Sequence, residues 1–254
     1  MRDNRLISLQ TIVGFTTLIL VLVSALALGA NRPVAWSLLT FAILPFFALH
    51  TLRALINPLP HQLNALLLPV LLYLGVLGWA AYQLTPGPSP DWIHPFWSAV
   101  PGAEGVISGD PGQGRQALVR LALYGMIFLI AAATFARPDA ARWAIRVFAI
   151  WSTLLAIFGF YALATGNNPI VDTQGSVMLA SFVNRNSYAT YAAFGAIANI
   201  GIYLSVVEQG TLPSTRHRWR NMIESFFGGG WVYAVGAILC LAAVALTASR
   251  AGSI

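Results

Sequence analysis

The stretch "LNALLLPVLLYLGVLGWAAYQL", residues 63 to 84, contains no charged residue and has no polar face at helical spacing. A helix of this composition has nothing to present to water, so it reads as a lipid-embedded span rather than an amphipathic surface helix. It is also long enough, since about 20 apolar residues cross the ~30 Å hydrocarbon core of a bilayer.

Working outward, the pattern recurs. Six further segments lie near 8–29, 34–56, 116–135, 143–165, 187–207 and 231–249, which makes about seven spans. The whole chain of 254 residues is 57% hydrophobic and 9% charged, far from the balance of a soluble domain. The expected fold class is therefore all-α, a polytopic transmembrane helical bundle forming a single domain over residues 1–254. The first segment does not read as a cleaved signal, because its apolar run is too long and another span follows "ALALGANRP" at once.

All 14 basic residues are arginine. The net charge of +6 does not point to nucleic acid, because the arginines sit in short connections between spans, where they set membrane orientation. With the N-terminus in the cytoplasm, Arg2, Arg5, Arg53, Arg137, Arg142, Arg146, Arg216, Arg218 and Arg220 fall inside, in segments such as "ARPDAARWAIR" and "STRHRWR". Nine inside against five elsewhere fits the positive-inside rule.

The five others are Arg32, Arg115, Arg120, Arg185 and Arg250. Arg32, beside Pro33, is a snorkelling anchor in a tight turn. Arg115 and Arg120 attend the start of the fourth span and Arg185 the start of the sixth, both of which run inward from the outer side. A helix N-terminus carries partial positive charge and unpaired N–H groups, so these ends suit an anion, and guanidinium forks suit diphosphate oxygens. Asn184, Asn186 or Ser187 would cap the sixth helix. Arg250, in "LTASRAGSI", also suits the negative end of the seventh helix dipole. For each arginine the plain alternative is an interfacial anchor.

The longest connection, residues 85–115, reads "TPGPSPDWIHPFWSAVPGAEGVISGDPGQGR". Its prolines and glycines preclude a long helix, and Trp92, Phe96 and Trp97 suit the membrane–water boundary. "GDPGQG" lacks the lysine-serine ending of a phosphate loop. His94 reads as a polar loop histidine without a fixed carboxylate partner, and His50, His61 and His217 form no metal-ligand set. No metal and no cofactor is expected. The acidic residues, Asp3, Asp91, Glu104, Asp110, Asp139, Asp172, Glu208 and Glu224, all avoid mid-span positions, which argues against a buried proton or cation relay. Cys240 is the only cysteine, so no disulfide forms within the chain. "FFGGGW", residues 226 to 231, reads as a flexible entry to the last span.

"SFVNRNSYATY" and "LTASRAGSI" resemble the two signature stretches of the O-antigen ligase and Wzy-type polymerase superfamily of bacterial inner membranes, and "ISGDPGQGRQALVRLALYGMIFLIA" resembles that family's run from an outer loop into a span. The resemblance covers residues from roughly 105 onward. It implies a GT-C-like, metal-independent glycosyltransferase that takes a glycan from undecaprenyl diphosphate to an acceptor, either lipid A-core or another lipid-linked repeat. Arg185 and Arg250 match the arginines that engage the diphosphate. The family continues into a large periplasmic region bearing an acceptor-activating histidine, so the resemblance implies a longer architecture of which residues 1–254 are the N-terminal part. The general base is unassigned. The competing class is a non-catalytic membrane transporter or assembly partner for lipid-linked glycans, or an inactive fragment of the enzyme.

Overall fold

The computed structural model describes residues 9–56, 61–171, 177–210 and 230–248. Among them every regular element is a helix and none is a strand. The α-helices are α1 (Leu9–Ser24), α2 (Pro33–Ile56), α3 (Leu67–Tyr82), α4 (Pro111–Phe135), α5 (Pro138–Thr165), α6 (Arg185–Gly210) and α7 (Trp231–Leu246). Five stretches are long and apolar enough to cross a membrane: Pro33–Ile56, Leu63–Tyr82, Pro111–Phe135, Pro138–Thr165 and Arg185–Glu208. α1 and α7 are as apolar but shorter, with 16 residues each. Large hydrophobic side chains stand exposed along the helices, among them Phe41, Leu72, Phe194 and Ile238. Water would not tolerate so much contiguous apolar surface, whereas lipid matches it.

Three helices open on proline. Pro33, Pro111 and Pro138 each take the first helical position, where the missing N–H costs nothing and the fixed φ suits the helix. This moves two starts from where hydropathy puts them. The fourth span begins at 111 rather than 116 and the fifth at 138 rather than 143. Polar first turns lower the hydropathy but not the helicity. The long connection therefore ends at Asp110, Arg115 lies on α4, and Arg142 and Arg146 lie on α5 rather than in a basic loop. The first span is shorter than expected, because Leu28, Gly29 and Ala30 are all left-handed and end the run in a 3-10 turn.

The chain divides into two compact units, one of Met1–Leu20 with Trp36–Ala136 and the other of Val21–Ala35 with Arg137–Ile254. In the first unit, α3 packs on α4 through Tyr73, whose ring fills the space left by Gly125 and whose hydroxyl donates to the Leu121 carbonyl. The start of α1 is tied to the end of α4. Gln10 Nε2 donates to Ala133 O at 2.8 Å, and Phe15 meets Phe135 edge-on at 5.5 Å.

In the second unit, α5, α6 and α7 pack closely through small residues. A Cβ built at Gly195 would fall 2.5 Å from Ser152 Oγ, and one at Gly236 would fall 2.5 Å from Asn199 Oδ1. Close backbones suit membrane helices, where van der Waals packing replaces the hydrophobic drive. Asn199 is buried at this junction, donating to Ala149 O, Gly195 O and Thr153 Oγ1. Its buried amide N–H groups are thereby satisfied within the helix packing.

Candidate functional site

The approach to α6 is held from several sides. Met178 N donates to Leu246 O at 3.0 Å, Asn168 Nδ2 donates to Ala180 O at 2.7 Å, and the buried Ser181 Oγ donates to Ala25 O at 2.7 Å. Phe182 then stacks on both Tyr188 and Tyr191, with centroids 5.5 and 5.3 Å away. Gly29 is glycine for this reason among others, since a Cβ there would meet Phe182 Cδ1 at 2.5 Å. So anchored, the chain enters the helix in one way.

Asn184 is the cap. Its Oδ1 accepts the Asn186 N–H at 2.8 Å and its carbonyl accepts the Tyr188 N–H at 3.1 Å. Of the three candidates read from the sequence, Asn184 carries the cap bond, while Asn186 and Ser187 follow it on the first turn. Arg185 is the first helical residue and is exposed. Among the described residues the single ion pair joins Arg142 to Asp139, so no described carboxylate neutralises Arg185 or Arg115.

Tyr188, one turn further in, is buried, and its hydroxyl lacks a hydrogen-bond partner among the described residues. A Cβ at Gly159 would stand 3.1 Å from that hydroxyl, so glycine makes its room. An orphaned buried hydroxyl calls for an account, and water or a ligand oxygen would satisfy it. No sequence signal marked it, because tyrosine in an apolar run reads as core.

The Met178–Leu246 bond joins the flanks of the two arginine stretches. Leu246 is the first residue of "LTASRAGSI", and Met178 stands three residues before "SFVNRN". Arg250 lies outside the described residues.

Arg115 and Arg120 belong to the first unit. Neither is at the helix start. Asp110 caps α4, its carboxylate accepting the Gln113 N–H at 2.9 Å, so a negative charge already occupies that N-terminus. Arg115 is exposed on the second turn. Arg120 is the tenth residue of the helix, and its guanidinium lies over the Trp36 ring 5.5 Å from the centroid. His94 is a turn cap, with Nδ1 accepting from Phe96 N at 3.2 Å. Its acceptor nitrogen is thereby engaged. Among the described residues no three His, Cys, Asp or Glu side chains gather as a metal site.

The fold and site together define a helical protein of membrane character with an exposed, capped arginine at one helix mouth. No protein-family model, curated protein or solved structure matches the chain.

Proposed function

We propose that this chain is a seven-span protein of the bacterial inner membrane, N-terminus cytoplasmic, which binds undecaprenyl diphosphate-linked glycan at its periplasmic face and transfers the glycan to a lipid or glycan acceptor. One observation carries the reading. The Met178–Leu246 bond ties the segment leading to Arg185 to the end of α7 within the second unit, and in the sequence Arg250 follows Leu246 by four positions. Arg250 enters on the sequence motif alone. α1 and α7 complete the seven spans if their apolar runs are counted with the polar residues that flank them.

The chemistry is substitution at the anomeric carbon. The acceptor hydroxyl oxygen bonds to that carbon, the bond from it to the diphosphate oxygen breaks, and the hydroxyl proton passes to a base. Charge grows on the leaving diphosphate, and Arg185, already in place and without a described carboxylate partner, would oppose it. Asn184 holds the guanidinium-bearing residue at the positive helix end. The clamp is drawn from the second unit alone; Arg115 and Arg120 belong to the first, where Arg120 is stacked on Trp36.

A second reading is donor binding without transfer, since Arg185 and its cap offer a place for the diphosphate while no base is assigned beside them. One experiment separates the two. The purified protein in nanodiscs is titrated with undecaprenyl diphosphate and assayed for transfer from the glycan-loaded lipid. Arg185→Ala should weaken binding about tenfold or more, the scale of one charge-assisted contact, with Arg185→Lys retaining part of it. Binding without transfer selects the second reading. Unchanged binding in Arg185→Ala refutes both.

A further inference from the structure

The first unit carries a second feature that the donor reading does not use. A cavity of about 310 Å³ opens beside Arg115 and Gln116 on α4 and Trp36, Ser37 and Thr40 on α2. Deeper along the same helices lies an apolar groove of about 620 Å³, walled by Phe47 of α2, Val70, Leu74 and Leu77 of α3, and Ala122 and Met126 of α4.

The two share one face of α4. Arg115 and Val119 line the upper cavity, and Ala122, Met126 and Leu129 line the groove. Their spacing of four, three, four and three residues is a single helical stripe. Measured along the axis, the groove lies from ~10 to ~21 Å below Arg115. That run matches one leaflet of a bilayer, headgroup region included.

We infer that this stripe binds one anionic glycerophospholipid, its phosphate at Arg115 and one acyl chain in the groove. Three observations select this occupant. Arg115 is exposed and has no described carboxylate partner, so the head end is cationic. Gln116 and Ser37 stand at the same cavity as hydrogen-bonding groups for phosphate or glycerol oxygens. Trp36, held under the Arg120 guanidinium, gives the cavity a fixed wall.

Below, the wall is hydrocarbon. Tyr73 turns its hydroxyl onto the Leu121 carbonyl and away from the role of donor to a ligand. The groove's volume suits the chain length as well. At ~30 Å³ per methylene, taken as equal to a water's share of the liquid, it holds about twenty carbons. That is the size of one acyl chain.

Native mass spectrometry of the full chain, extracted from vesicles of phosphatidylglycerol and phosphatidylethanolamine doped with undecaprenyl phosphate, tests the assignment. The wild type should retain one phosphatidylglycerol in preference to phosphatidylethanolamine. Arg115→Gln should lower that retention about tenfold, the loss of one charge-assisted contact. Gln116→Glu, at an exposed position where folding is not at stake, should expel the anionic lipid by like charge. Leu74→Trp, which fills the groove and leaves Arg115 in place, should abolish retention of both headgroup classes. Equal retention of the two lipids by the wild type overturns the inference. So does undiminished retention in Arg115→Gln, a lipid-free dimer showing that a second copy covers the groove, or preferential retention of a polyprenyl phosphate. Arg185→Ala, which the donor reading expects to fail, should leave phosphatidylglycerol retention untouched, so the two proposals fail independently.

Discussion

Asn184 and Arg185 are adjacent, and at the scale of single residues they place opposite demands on position 184. A cap needs an acceptor, and a carboxylate is as good a cap as an amide and better matched to the helix dipole. An anion site needs its cation unopposed. Asn184→Asp should therefore hold or slightly raise thermal stability while sharply reducing affinity for a diphosphate. Asn184→Ala should do the reverse, costing about 1 kcal/mol of stability through the lost bond to Asn186 N and only modestly weakening the anion. Paired melting and binding curves in detergent would check this, and a parallel fall in both quantities for the two variants would contradict an anion site at Arg185. That some residue near Arg185 caps the helix was legible from three polar side chains in a row. Which one does so was not, because capping depends on where the backbone turns, and that turn is fixed by Ser181 on Ala25, Asn168 on Ala180 and Phe182 over Gly29.

At the scale of helices, hydropathy located every described α-helix, yet it misplaced the ends of several. It scores side chains against lipid, while helix starts are set by proline and caps, so the first turns of α4 and α5, with Arg115 and Arg142 just after them, passed for loop. Packing between helices was also hidden, because glycine in an apolar run signals nothing until its neighbour is known. Gly236 and Gly201 make the contrast testable. A side chain at Gly236 meets Asn199 and Thr153, whereas around Gly201 nothing lies within 4 Å. Gly236→Val should destabilise the second unit by about 1–3 kcal/mol through overpacking at the α6–α7 junction. Gly201→Ala should be neutral or stabilise by up to about 1 kcal/mol, the difference in helix propensity. Thermal shift assays in detergent read both, and similar shifts for the two would remove the close-packing account of α5, α6 and α7.

For the whole molecule, the class was plain from composition, but the division into two units was not, nor was the backbone bond between Met178 and Leu246. A backbone-to-backbone contact across such a separation uses no side chain, so residue identity cannot announce it. Orientation is the remaining property at this scale, and the arginine count argues for it. If α4 crosses the membrane, the connection before Asp110 and the turn at Arg137 lie on opposite sides. The positive-inside rule puts the arginine-rich side of α5 in the cytoplasm. Ser98 is exposed in that connection, and Asp139 is exposed at the start of α5 in a surface ion pair with Arg142 at 3.9 Å that contributes little to stability. Both therefore accept cysteine. The native Cys240 is fully buried and supplies a silent background to an impermeant maleimide. Ser98→Cys should label in intact spheroplasts, and Asp139→Cys only after lysis. The opposite pattern would place Arg185 on the cytoplasmic side together with α6's first turn, where a periplasmic glycan donor is out of reach, and the transfer proposal would fall with the orientation.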